Sequence, residues 1–206
     1  MADMRAFRDE VIRWAAGGPG ETAGELAAQV GVRTAVLLEG PSDLAAVDAL
    51  AARRGRDLAA EGVCVVPMGG AMSVGRYAGL LGPTGLGLRL AGLCDVREQG
   101  FYDRGLERAG ASREDVFVCA ADLEDELIRA LGAARVEEIV ETEGDLRAWR
   151  TLLRQPAHHG RPREQSLRRF LGTKKGRKIR YGHLLVEALG PDQVPAPLDG
   201  LFASLS

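Results

Sequence analysis

Four short apolar runs mark the first part of the chain, and each ends in acids or glycines. Thr34 to Leu38 runs into Glu39-Gly-Pro-Ser-Asp43, and Val63 to Pro67 into Gly69-Gly70. Leu90 to Cys94 runs into Asp95-Val-Arg-Glu98, and Val116 to Cys119 into Asp122-Leu-Glu-Asp-Glu126. Between and before the runs the apolar spacing is helical, over 4–16, 22–30, 43–54, 74–81 and 102–109. Gly40-Pro41 makes a turn, and Ser42 is the expected cap of the third helix. From Asp122 onward only helical patterns follow: 123–131, 136–142, 146–154, 163–171, 180–189 and 199–205. Alternating strands and helices with short links predict an α/β fold, a parallel sheet covered by helices, with a C-terminal helical extension. Three segments are expected: helices at 1–32 packing on the core, an α/β domain at 33–132, and a helical, basic extension at 133–206.

In such a sheet the C-terminal ends of the strands share one edge, where open α/β sheets bind ligands. Glu39, Asp43, Asp95, Glu98, Asp122 and Glu124 then converge from three segments. Two carboxylates 4 Å apart repel by about 4 kcal/mol at an effective dielectric near 20. Cations relieve that cost, so the pattern predicts a Mg²⁺ or Mn²⁺ site. Taken singly, Asp43 and Asp122 have plainer explanations as acids at helix N-termini. Their coincidence at one edge is what favours a site. The Gly69-Gly70 pair and the following Ala-Met-Ser-Val-Gly75 form a loop flexible enough to lie near a phosphate.

Composition sharpens this picture through charge. The net charge of the 206 residues is −2, but Leu146 to Tyr181 holds twelve Lys or Arg against one acid, Glu164. That window carries +11 and the remainder −13. Acids to hold metal and bases to hold phosphates together point to nucleic acid. Arg168, Arg169, Lys174, Lys175, Arg177 and Arg180 are the candidate contacts; a solvated basic face docking on acids of its own chain is the plainer reading. Cys64, Cys94 and Cys119 match no zinc or disulfide spacing and are read as small buried hydrophobes. His158, His159 and His183 are read as surface or packing residues, His183 without an acid at useful spacing. No apolar stretch reaches the roughly 20 residues that cross a bilayer, and the charged N-terminus lacks a signal-peptide core. A cytoplasmic protein is expected.

These residues resemble the Toprim domain shared by topoisomerases, primases and OLD-family nucleases. The resemblance rests on Glu39-Gly40 after the first strand, Gly69-Gly70 after the second and Asp95 after the third. Glu39-Gly-x-Ser-Asp43 together with Asp122-Leu-Glu124 is similar to the OLD-type branch. It covers about residues 33–130 well. The resemblance implies a four-stranded Toprim-like sheet and metal-dependent phosphodiester hydrolysis, of DNA more than RNA. By it, Asp95, Asp122 and Glu124 hold one ion, and Glu39 and Asp43 with Glu98 a second; Glu39 serves alternatively as general acid or base. It also implies a Lys beyond the core that counters transition-state charge, best matched by Lys178. Where the pattern has a second Asp, this chain has Arg97, and Glu98 is the candidate substitute. No Gly-x-x-x-x-Gly-Lys-Ser/Thr occurs, so the expectation is a standalone Toprim protein, with any ATPase on a separate chain. Two alternatives stay open: a decayed module that binds nucleic acid or a partner, and a phosphotransfer enzyme acting on a small phosphorylated molecule.

Overall fold

The structure, a computed structural model, describes residues 3–174 and 176–205. Thr34–Leu38 (β1), Val63–Pro67 (β2), Arg89–Asp95 (β3) and Val116–Cys119 (β4) form one parallel sheet in the order β2-β1-β3-β4. The register sets Leu38 opposite Pro67, Leu37 opposite Gly92 and Asp95 opposite Cys119. The helices in chain order are Met4–Ala15 (α1), Glu21–Val30 (α2), Pro41–Arg53 (α3), Val74–Leu81 (α4), Gln99–Arg108 (α5) and Leu123–Leu131 (α6). They continue with Ala133–Thr142 (α7), Leu146–Leu153 (α8), Arg163–Leu171 (α9), Arg177–Ala188 (α10) and Ala196–Ser204 (α11). Short 3-10 turns occupy Ala71–Ser73, Pro156–His158 and Pro191–Gln193. No helix is long and apolar enough to cross a membrane among the described residues.

The sheet is apolar on both faces, as parallel sheets with crossover helices require. Along β1, Val36 and Leu38 enter one core with α3 and α6 to α11. Ala35 and Leu37 enter the other, with α1, α2, α4 and α5. The connection from β1 through α3 to β2 and the one from β2 through α4 to β3 lie on opposite faces. They part at the neighbouring ends of β1 and β3, which is where such sheets leave a crevice. The three free cysteines are buried, and burial pushes the thiols of Cys64 and Cys94 up to about 11 and about 12.

The C-terminal helices cover the α3 face of the sheet. Helix α10 runs against α3 so closely that a Cβ on Gly182 would stand 2.6 Å from the Ser42 carbonyl oxygen. Arg53 donates to the Leu189 carbonyl at 2.7 Å, and Arg56 to those of Phe202 and Leu205 at 2.9 and 3.0 Å. The chain's last quarter is thereby fastened to the end of α3 and the turn that follows it.

All four expected strands and every expected helix are present. The differences lie at helix starts. Helix α3 begins at Pro41, with Gly40 rather than Ser42 as its cap, because proline's fixed φ suits the first helical position. Ser42 is buried instead. Helix α10 begins at Arg177, three residues before the expected Arg180, which places Lys178 on a helix.

Candidate metal centre

Glu39 is the first residue beyond β1. The Leu38 carbonyl accepts from Met68 N and the Glu39 carbonyl from Gly70 N, each at 2.9 Å. These bonds draw the turn after β2 against Glu39. Gly69 and Gly70 have φ of +75° and +128°, a region that side-chain-bearing residues rarely adopt. Asp95 is the last residue of β3, and the Asp95 carbonyl accepts from Glu98 N at 2.9 Å. This turn folds Glu98 back over the strand end. One carboxylate oxygen each from Glu39, Asp95 and Glu98 then lie within 4.8 Å of one another. Asp43 sits in the first turn of α3, and Asp43 Oδ2 accepts from Gly40 N at 3.0 Å. Asp43 shares a cleft of about 410 Å³ with Glu39, Gly40, Gly69, Gly70, Lys178 and Ile179. A narrower crevice joins Asp43 and Glu39 to Asp95.

Asp122 and Glu124 stand beside this group in a different condition. Asp122 caps α6: its Oδ1 accepts from Asp125 N at 2.8 Å, and its Oδ2 from Arg168 Nε at 2.6 Å. Glu124 is only 2% exposed, and Lys178 Nζ lies 3.0 Å from its Oε2. That contact is an ion pair without good hydrogen-bond alignment, so Glu124 Oε2 has no directed donor.

The electrostatics follow from burial and crowding. Burial, then the neighbouring charges of Asp122, Glu39, Glu98 and Asp43, raise the Asp95 carboxyl to about 7. Burial and the charge of Glu124 raise Asp43 to about 7 against the pull of the Gly40 N–H and Lys178. Glu98 is also raised to about 7, by burial and by its contact with Glu39. Burial raises Glu124 too, although Lys178 opposes it. Burial works against the Lys178 cation, but Glu124, Asp43 and Asp122 outweigh it and hold its pKa above the ordinary value. Near neutrality the group therefore competes for protons in the absence of a cation.

The residues fit a divalent ion. Glu98 Oε2 is buried with no hydrogen-bond donor among the described residues. The donors are all carboxylate oxygens, the hard ligands that Mg²⁺ and Mn²⁺ take. Glu98, not Arg97, joins Glu39 and Asp95; Arg97 is exposed and makes no ion pair among the described residues.

The basic window divides into free and tied groups. Arg169 and Lys174 are exposed. Arg168 ties Asp122, and Arg180 ties Asp145 and Glu143 while remaining about half exposed. Lys175 lies outside the described residues. Arg177 corrects an expectation: it is 7% exposed, and its guanidinium is spent inside the protein. It bonds Asp145 at 3.2 Å and Thr173 Oγ1 at 2.7 Å, and lies 4.0 Å over the Phe170 ring. Despite burial, Arg177, Tyr181 and Arg180 hold the Asp145 carboxyl below its ordinary value. Among the histidines, His158 is buried with Nδ1 3.2 Å from Ser166 Oγ. His183 does have an acid at helical spacing, Glu187, 3.2 Å away.

A Glu directly after β1, a glycine turn after β2 and an Asp ending β3, on a sheet ordered β2-β1-β3-β4, make a Toprim-like fold. Residues 32–96 match the family described as "Overcoming lysogenization defect protein-like, TOPRIM domain", so this segment is similar to an OLD-like Toprim domain. The fold is similar to the C-terminal region of the Burkholderia pseudomallei OLD protein, with a TM-score of 0.62 and 22% identity over 84% of this chain and 96% of that one. It is similar also to the C-terminal region of the Xanthomonas campestris pv. campestris OLD protein, at 0.60 and 23%, over 84% and 94%. No curated protein matched.

Proposed function

We propose that this chain hydrolyses phosphodiester bonds of nucleic acid, DNA before RNA, using divalent ions held at the acidic edge. The observation that carries the reading is the meeting of Glu39, Asp95 and Glu98 within 4.8 Å, beside Asp43 and the Lys178–Glu124 pair. Glu39, Asp95 and Glu98 would hold one ion, Glu98 supplying the ligand that Arg97 cannot. Asp43, Asp122 and Glu124 would serve a second. When bound there, an ion would supply Lewis acidity toward a phosphate oxygen and toward water.

The chain's own groups do the rest. Lys178 stays protonated beside the cleft and opposes charge developing on the phosphate oxygens. Gly69 and Gly70 leave room for a backbone to approach Glu39. The exposed Arg169 and Lys174, with Arg168 and Arg180, hold flanking phosphates without reading sequence. An ATPase on a separate chain and a cytoplasmic setting accord with this reading.

The test is supercoiled plasmid incubated with the protein and Mg²⁺, Mn²⁺ or EDTA. Nicking with either metal, none with EDTA, and none from Glu39→Gln is the expected result. Arg97 favours a second reading, a module that binds nucleic acid without cutting it. That version gives no cleavage under any metal and no heat when Mn²⁺ is titrated into the protein.

A further inference from the structure

The described residues expose four large hydrophobic side chains: Met72 at 82%, Val96 at 49%, Ile179 at 40% and Phe101 at 36%. Singly, such residues need no explanation. Their placement does. Met72 lies in the 3-10 turn just after Gly69-Gly70, and Val96 follows Asp95 directly. Phe101 stands in the first turn of α5, its N–H donating to the Glu98 carbonyl at 2.8 Å. Ile179 lines the cleft that holds Glu39 and Asp43. The turn bearing Met72 and helix α5 are packed neighbours. Ile179 thus lines the acidic cleft itself, Val96 adjoins Asp95 in the chain, and Met72 and Phe101 sit in two packed elements that follow Gly70 and Glu98.

Resting on the phosphodiesterase reading above, we infer that Met72, Val96, Phe101 and Ile179 form an apolar collar that grips unstacked bases next to the phosphate being cut. The chemistry of the rim fits that occupant. A protein partner calls for a continuous apolar patch with charge kept to its border. Here the apolar groups are interleaved with Glu39, Asp95, Glu98, Arg97 and Lys178. A nucleic acid strand alternates in the same way, an anionic phosphate and an apolar base face in each nucleotide. Arg104 sits 5.3 Å from the centroid of the Phe101 ring, so one face of that ring already carries a cation suited to a phosphate. An intact duplex hides its base faces in the stack. Apolar side chains reach them only where bases are unpaired or pried apart, as Met, Phe and Ile do when they wedge between base steps. The collar thus selects single-stranded, frayed or nicked substrate over continuous duplex.

The experiment measures fluorescence anisotropy with Ca²⁺ in place of Mg²⁺ or Mn²⁺. The probes are a labelled single-stranded oligonucleotide, the same strand with several abasic residues, and its full duplex. The expected result is that the intact strand binds about 5-fold or more tightly than either alternative. Met72→Ala and Phe101→Ala remove that preference and leave duplex binding and the melting temperature unchanged. Equal affinity for intact and abasic strands overturns the collar while leaving the hydrolase proposal standing. So does a pair of variants that change the sedimentation of the free protein and not its strand binding, since the surface then joins copies of the chain. Failure to bind any of the three probes removes both proposals together.

Discussion

Two sets of carboxylates lie side by side at the sheet edge, and they meet the cost of crowding differently. Asp122 and Glu124 borrow cations from distant helices, Arg168 of α9 and Lys178 of α10. Glu39, Asp95, Glu98 and Asp43 make no ion pair among the described residues, and three of them have carboxyls raised to about 7. The first set is organised by the protein itself. The second is organised by backbone alone, through the glycine turn and the turn after β3, and stays short of positive charge. Repulsion left unrelieved in one half of a site and relieved in the other marks where an external cation has the most to gain.

The sharpest way to break this comparison is to remove the shared cation. Lys178→Met is expected to lower cleavage by about 10²- to 10³-fold, the loss seen when a group facing transition-state charge is deleted. Mn²⁺ affinity measured by calorimetry should not weaken, because a neighbouring positive charge has gone. Parallel loss of metal binding would show that Lys178 merely holds the fold.

A smaller effect is expected from Gly182→Ala, which acts on the set that α10 completes. The new methyl would meet the Ser42 carbonyl at 2.6 Å, so α10 must move off α3. Overpacking of this kind costs about 1–3 kcal/mol. Thermal unfolding should show it, with cleavage falling as Lys178 is displaced while Mn²⁺ still binds at Glu39, Asp95 and Glu98. Unchanged stability would mean the helix contact is looser than described.

The last effect is in pH. Asp43 and Asp95 have ordinary values of 3.8 and folded values of about 7, so folding takes up protons between those limits. Stability without metal should therefore fall as pH rises from 4 to 7, read as a falling melting temperature. The double variant Asp43→Asn, Asp95→Asn should flatten that slope, and Mn²⁺ should raise the wild-type midpoint more at pH 7.5 than at pH 5. A slope unaffected by the double variant would place the titration elsewhere.

The sheet was legible because each strand is a short apolar run closed by a turn signal, and because the acids mark the strand ends. The start of α10 was not, for a physical reason. Its buried face is Arg177, Tyr181, Gly182, Leu185 and Val186, and an arginine at the first of these hides the apolar period. The guanidinium bonds Asp145, a residue 32 positions earlier, which no local pattern reveals. The same distance effect concealed the Arg168–Asp122 pair, so the sequence offered Arg168 only as a phosphate contact, while in the structure it holds an acid. Glu187 beside His183 was a plain i, i+4 spacing that the sequence did offer.

Lys178 reaches Glu39's cleft only through a helix that begins at Arg177, far along the chain. A ribosome therefore delivers the acidic edge long before the lysine that faces it. Until α10 has emerged and seated on α3, a growing polypeptide displays Glu39, Asp43 and Glu124 without the lysine that faces them. Synthesis order alone thus leaves the half-made acidic cleft without the lysine that lines it.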